Sequence, residues 1–146
     1  MDVLIRDIQP QDKAQWRILW NGYNQFYESK VRESVTEKTW LRMLNAQSSI
    51  FGRVAEVNGQ VVGFAHSVLH EGTWELSHIC YLEDLFVAPE MRGHGIARCL
   101  IQALVDEGKS QGWSRLYWHT RENNPARKLY DEFTEVEDFV LYRMNL

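Results

Sequence analysis

The sequence predicts an α/β fold whose sheet holds both antiparallel and parallel strand pairs, and two stretches carry that expectation. Phe51 to Val57 and Gln60 to Leu69 are β-prone runs separated only by Asn58-Gly59, which suits the left-handed residues of a type I′ turn, so they form an antiparallel hairpin. Further on come an apolar strand ending near Val87, a helix starting near Ile96 and a strand over Trp113 to Thr120. A strand, helix and strand in that order imply a parallel crossover.

With 146 residues the chain fits one domain, 1–146, large enough to bury a core without disulfides or metals. The apolar share of 45% is ordinary for a globular chain, and no apolar run approaches membrane-spanning length. Met1 to Arg6 lacks the basic start and long apolar core of a secretory signal, so a cytoplasmic location is expected. Cys80 and Cys99 are too few for a disulfide framework, and their apolar surroundings predict buried free thiols. The formal charge of -4, without a Lys/Arg cluster, argues against general nucleic-acid binding and mildly favours cationic partners.

In chain order, Val3 to Ile8 alternates well enough for a first strand, and Gln9-Pro10-Gln11-Asp12 breaks it, with Asp12 able to cap a helix. Trp16, Leu19/Trp20, Tyr23 and Phe26/Tyr27 then follow the spacing of one helical face, which predicts that most of these rings are core. Near its end Tyr23, Phe26, Tyr27 and Glu28 set aromatic rings beside a carboxylate, a combination that can hold an amine by cation–π and ionic contact. Ser34 to Asn45 reads as a second helix, with Thr36 as cap and Trp40, Leu41 and Leu44 as its apolar positions. After the hairpin, His70 to Trp74 is a loop and Leu76 to Tyr81 leads into the strand that ends at Val87. Ile96/Ala97, Leu100/Ile101 and Leu104/Val105 predict a helix to about Gly108 or Gly112. Asn124 to Phe133 reads as a short helix with proline in its first turn, and Phe139 to Met144 as a final strand.

Between strand and helix lie Arg92, Gly93 and Gly95. Two glycines so close let the backbone turn sharply and aim successive N–H groups into one concavity, and the following helix adds its unpaired N–H groups and positive dipole end. The site therefore suits a phosphate or pyrophosphate. There is no Gly-Lys-Ser/Thr and no third glycine of a dinucleotide fold. What remains, Arg92-x-x-Gly95-x-Ala97 after an acidic-aromatic strand, resembles the acetyl-CoA pyrophosphate loop of the GNAT superfamily of N-acetyltransferases. The later stretch Asn123-x-x-Ala126-x-x-x-Tyr130 resembles that superfamily's second motif at the expected separation. Within the superfamily the chain looks most like the polyamine/diamine and histone/polyamine-type enzymes, by Tyr81-Leu82-Glu83-Asp84-Leu85-Phe86-Val87, the aromatic first helix and Tyr117-Trp118.

The resemblance implies a mostly antiparallel mixed sheet with about four helices, splayed open between the strand ending near Val87 and the strand at Leu116 to His119, with acetyl-CoA in the opening. Backbone groups of Leu85, Phe86 and Val87 would hold the pantetheine arm and acetyl carbonyl, and Arg92, Gly93, His94, Gly95, Ile96, Ala97 and Arg98 the pyrophosphate. Asn123, Ala126 and Tyr130 would border the thiol end. Many members place a glycine soon after the tyrosine, whereas here the run is Tyr130-Asp131-Glu132-Phe133-Thr134, so the turn there is expected to differ.

An amine with a pKa of about 10.4 must lose a proton before it attacks a thioester, so a base is required. Glu83 occupies the position that resembles the family's general base, acting directly or through water, with His78 in reserve. Strand alternation sends Glu83 and Asp84 to opposite faces unless a bulge intervenes. The Leu85 N–H is the expected oxyanion donor, and Tyr130 the acid toward the departing thiolate. Phe26, Tyr27, Glu28, Glu83 and Asp84 are the expected contacts to the amine. His66-x-x-x-His70 is rejected as a metal site, because those residues run apart on a strand and no clustered third ligand follows. The expected activity is acetylation of a polyamine, diamine or amino acid by a homodimer. Acetylation of protein lysine and a non-catalytic acetyl-CoA-binding module are the alternatives.

Overall fold

The structure, a computed structural model, describes residues 1–146. Strand β1 (Leu4–Asp7) leads through a 3-10 turn into helices α1 (Lys13–Phe26) and α2 (Glu33–Leu44). The hairpin β2 (Ile50–Val57) and β3 (Gln60–His70) follows, then β4 (Ile79–Val87), α3 (Ile96–Gln111), β5 (Arg115–Tyr117) and the short α4 (Arg127–Tyr130). The five strands form one sheet in sequence order. Each of β1 to β3 is antiparallel to the next, and β4 and β5 are parallel. The mixed α/β sheet is thus as the sequence predicts, and Asn58 (φ 50) and Gly59 (φ 77) both take the left-handed values that a type I′ turn needs.

Both faces of the sheet are covered, because strand alternation sends neighbouring residues to opposite sides. Val54, Phe64 and Phe86 join Trp16, Trp20 and Trp40 from α1 and α2 on one face. Ala55, Ala65 and Val87 join Ile96, Leu100, Ile101 and Leu104 from α3 on the other. Those four α3 side chains are worth about 1.5–3 kcal/mol each on burial, which outweighs the ~1 kcal/mol that Gly108 costs inside the helix. Gly112 (φ 80) ends α3 in the left-handed conformation.

Two irregularities shape the site. Pairing of β4 with β5 is confined to Ile79, Cys80 and Tyr81, so β4 from Leu82 onward has no neighbour on that side. The second is a bulge in β4: His66 faces Asp84 while Ser67 faces Leu82, which leaves Glu83 as the extra residue. Leu82 packs in the α3-side core, and Asp84 is turned to the α1 side by its pairing with His66. The bulge releases the Glu83 side chain from both cores.

Several sequence expectations are corrected. Phe139 to Met144 is not a strand: residues 135–146 make no backbone hydrogen bonds, and Phe139, Val140, Leu141, Tyr142 and Met144 are exposed. The β-branched and aromatic residues there supply β-propensity, but a strand also needs a partner, and this segment pairs with none of the sheet's edges. The strand expected over Trp113 to Thr120 shrinks to three residues, and the helix expected from Asn124 to Phe133 shrinks to four, after which Thr134 N–H bonds back to Tyr130 O. Asp12 does not cap α1 with its side chain; its buried carboxylate instead closes the preceding 3-10 turn by accepting from Gln9 N at 2.8 Å, and accepts two hydrogen bonds from Arg6, at 2.7 and 2.9 Å. Thr36 lies inside α2, where its hydroxyl accepts the Trp20 indole N–H at 2.9 Å. Trp40 and Met43 form the buried face of α2, whereas Leu41 and Leu44 are exposed. Of the two free cysteines, Cys80 is buried and Cys99 half-buried.

Candidate active site

The unpaired length of β4 is the floor of a cleft. Ala88 N–H donates to Val62 O at 2.8 Å. Because hydrogen-bonded pairs alternate along an antiparallel ladder, Phe86 is then bonded to Phe64, while Leu85 and Val87 turn their backbone groups toward the open edge. The Val87 carbonyl is met there by Arg92 Nε at 3.2 Å. The Arg92 guanidinium lies 5.3 Å from the centre of the Phe86 ring and 5.8 Å from that of Phe26, and it has no carboxylate partner. Gly93 (φ 82) and Gly95 (φ 77) adopt the left-handed backbone that shapes the loop, and Gly95 O accepts the first α-helical bond, from Cys99 N. The N–H groups of Ile96, Ala97 and Arg98 thus have no partner within the helix and sit at its positive end.

Two chambers lie along this edge. The larger, about 720 Å³, is walled by Leu85 to Val87, the loop residues Arg92, Gly93 and Gly95, the start of α3, and Asn124 to Ala126 with Tyr130. The smaller, about 280 Å³, is walled by Tyr23, Leu82, Glu83, Trp118 to Arg121, Leu141 and Arg143. Tyr27, Leu85 and Tyr130 border both. The larger chamber fits the pyrophosphate and thiol arm of a coenzyme A: it combines unpaired helix N–H groups, an unpaired guanidinium and strand-edge groups with no sheet partner.

Tyr130 stands at the junction with its ring 5.6 Å from that of Trp118, edge to face. Burial, with the Tyr27 phenol nearby, pushes its hydroxyl up to about 12, so it holds its proton at neutral pH. Glu83 is reached by solvent through the open cleft, yet it is flanked by enough protein that desolvation raises its pKa, and the negative Asp84 adds to the rise. Asp84 itself faces the core. Its Oδ2 lies 3.0 Å from His66 Nδ1, and His66 Nε2 lies 2.9 Å from Trp16 Nε1. An indole nitrogen only donates, so Nε2 must accept, which places the His66 proton on Nδ1 and makes it a donor to Asp84. His66 also stacks on Phe64 at 4.2 Å. Burial first, and Asp84 second, raise the Tyr23 phenol.

The structure sorts the sequence candidates. Leu85, Phe86, Val87, Arg92, Gly93, Gly95, Ile96, Ala97, Arg98, Ala126 and Tyr130 all line the larger chamber, with Arg98 ion-paired to Glu132 at 2.7 Å. His94 does not; it is exposed, with its Nδ1 3.1 Å from Met91 O. Asn123 is also exposed and lines neither chamber. Its neighbour Asn124 takes that wall, accepting from Ala126 N at 2.9 Å and donating to Thr120 Oγ1 at 2.8 Å. Phe26 faces the larger chamber rather than the smaller, and Glu28, exposed beyond the end of α1 with φ 53, lines neither. Asp84 stands behind Glu83 and lines neither chamber. His78 is exposed in the loop just before β4 and lines neither chamber. Sequence reasoning missed Tyr23 and His66 as neighbours of Asp84, and Trp118, Arg121, Leu141 and Arg143 as walls. Only the β3–β4 register and the path of the C-terminal segment bring these together.

The family model described as the acetyltransferase (GNAT) family matches residues 13–134. The chain belongs to this family. It is an acyltransferase, and acetyl-CoA is the donor that the family uses. Among relatives of this GNAT protein, the D-amino-acid N-acetyltransferase HPA3 of Saccharomyces cerevisiae is 29% identical, over 98% of this chain and 91% of its own. The fold matches that of the ribosomal-protein-alanine N-acetyltransferase from Brucella melitensis biovar Abortus 2308, with a TM-score of 0.83, 23% identity and coverage of 99% and 100%. It also matches AAC(6')-Iy in complex with a bisubstrate CoA analogue, with a TM-score of 0.81, 22% identity and full coverage of both chains.

Proposed function

We propose that the chain is one acetyltransferase domain that moves acetyl from acetyl-CoA directly to the primary amine of a small molecule. The observation that carries this reading is the meeting of the two chambers at Tyr27, Leu85 and Tyr130, over the unpaired edge of β4. Acetyl-CoA supplies an acetyl group activated as a thioester. The protein supplies the rest. Arg92 and the N-terminus of α3 hold the pyrophosphate, and the Leu85 N–H, fixed in advance by the sheet, receives the charge that develops on the acyl oxygen. Glu83 first pairs with the ammonium and then removes its proton, directly or through water, a task suited to a carboxylate whose pKa is raised. Tyr130 offers its hydroxyl to the departing sulfur.

Aromatic walls from Tyr23, Tyr27 and Trp118 beside Glu83 suit an organic cation. The small volume of this chamber, crossed by Leu141 and Arg143, favours a free amine over a protein lysine. Release of CoA thiol from acetyl-CoA across a panel of amines tests the reading. Calorimetric binding of acetyl-CoA with no turnover on any amine would leave only a binding module.

Asp84 is placed to tune Glu83 rather than to touch substrate. Asp84→Asn keeps an oxygen to accept the His66 Nδ1–H but removes the charge. The Glu83 pKa then falls, and because the base is lost as pH drops through that pKa, the acid limb of kcat/KM is expected to move to lower pH. A limb that stays in place would rule out this tuning. The homodimer is also part of the proposal, supported by the exposed apolar segment 136–146. Light scattering that returns the mass of one chain at micromolar concentration would remove it.

A further inference from the structure

The smaller chamber carries fixed charges of both signs. Glu83 is the one carboxylate in its wall, and Arg121 and Arg143 are its two guanidinium groups. Neither arginine takes part in any of the ion pairs of the protein. Arg121 is presented by a well-fixed turn: its carbonyl accepts from Asn124 N at 3.0 Å, Asn124 Nδ2 donates to Thr120 Oγ1 at 2.8 Å, and Arg127 donates to Glu122 O at 2.7 Å. Arg143 is supplied by the C-terminal segment.

We infer that the amine acetylated here belongs to a molecule that also bears a carboxylate, of amino-acid size, with Glu83 receiving the ammonium and Arg121 and Arg143 the carboxylate. The inference rests on the acetyltransferase reading above and names the substrate class of the same site.

Four arguments support it. A guanidinium presents donors in a planar fork that matches a carboxylate, and an unpaired one beside an ammonium site is the complement of a zwitterion. A polyamine or an aminoglycoside would bring further cations against two uncompensated guanidinium groups while finding only one carboxylate, which is a built-in penalty against the wrong ligand. The volume of about 280 Å³ lies just below the range of about 300–1,000 Å³ for drug-sized ligands and suits something smaller. The two arginines are not needed for the phosphates of CoA, because neither lines the larger chamber, which has Arg92 and the α3 N-terminus.

The experiment compares molecules that share one amine: D- and L-leucine, the two leucinamides and isoamylamine, with spermidine alongside, each followed by thiol release at fixed acetyl-CoA. The wild-type protein is expected to favour one hand of leucine over its carboxamide in kcat/KM by on the order of 10- to 100-fold, mostly through KM, as loss of a charged hydrogen-bonding pair implies. Arg121→Gln combined with Arg143→Gln is expected to collapse that ratio toward one. Both residues are exposed, so the core is untouched. Equal or better use of the carboxamide, the bare amine or spermidine overturns the proposal while the acetyltransferase reading stands. A preference for leucine that survives both substitutions also overturns it. Absence of turnover with every amine overturns the proposal and the reading together.

Discussion

Tyr130→Phe is expected to lower kcat by on the order of 10²–10³-fold while acetyl-CoA binds as before. The substitution removes one oxygen and keeps the ring that packs 5.6 Å from Trp118, so the walls of both chambers persist. The size of the effect follows from how the phenol acts. With its pKa pushed up to about 12 by burial, it holds its proton throughout the neutral range and is always a donor. A thiol has a pKa of about 8.5, so complete transfer to a free thiolate would be uphill by roughly 5 kcal/mol at about 1.4 kcal/mol per unit. In the proposed mechanism the hydroxyl therefore works mainly as a hydrogen-bond donor while negative charge builds on sulfur, and the proton shed by the amine completes the balance. Single-turnover kinetics with calorimetric titration of acetyl-CoA measure the two halves. An unchanged kcat would remove Tyr130 from the mechanism.

Glu83→Gln is expected to depress kcat/KM by on the order of 10²–10⁴-fold at neutral pH, with the deficit narrowing as pH approaches the amine pKa of about 10.4. The sign is set by the direction of the Glu83 shift. Desolvation and the neighbouring Asp84 raise its pKa, so the basic carboxylate is present above that raised value and is lost as pH falls through it. The variant should lose this acid limb and keep only the rise that follows the neutral fraction of the amine. Glutamine is nearly the same shape, and the bulge holds position 83 away from both cores, so the fold should tolerate it. A variant profile that keeps the acid limb would assign the base elsewhere.

Much of the site could be read in the chain because its parts are local. The turn at Asn58-Gly59, the left-handed glycines at 93 and 95, and the four-residue rhythm from Ile96 to Leu104 are properties of neighbouring residues, and the backbone has few other ways to satisfy them. Glu83 and Tyr130, which both line the cleft, lie within short motifs of fixed spacing. The misplaced candidates share a different cause. Asn123 and Asn124 are adjacent and chemically identical, and only the turn that bonds Asn124 to both Thr120 and Ala126 selects which one faces the cleft. Glu28 follows the aromatic run in sequence, but α1 ends before it, so it leaves the face that carries Tyr23 and Tyr27.

The mixed sheet, the left-handed glycine turn at 93–95 and the family follow from the amino-acid sequence, since each rests on local propensity or on motifs of fixed spacing. What surrounds Glu83 depends on the tertiary structure. The register of β3 against β4 creates the bulge at Glu83 and sets His66 opposite Asp84, and that register is fixed by cores on both faces that no single segment contains. The end of β4–β5 pairing at Tyr81 opens the cleft, because a three-residue strand cannot follow β4 any further. In the same way the run from Phe139 to Met144 has the composition of a strand yet pairs with no edge of the sheet, and the place of Arg143 in the wall of the chamber that holds Glu83 is visible only in three dimensions.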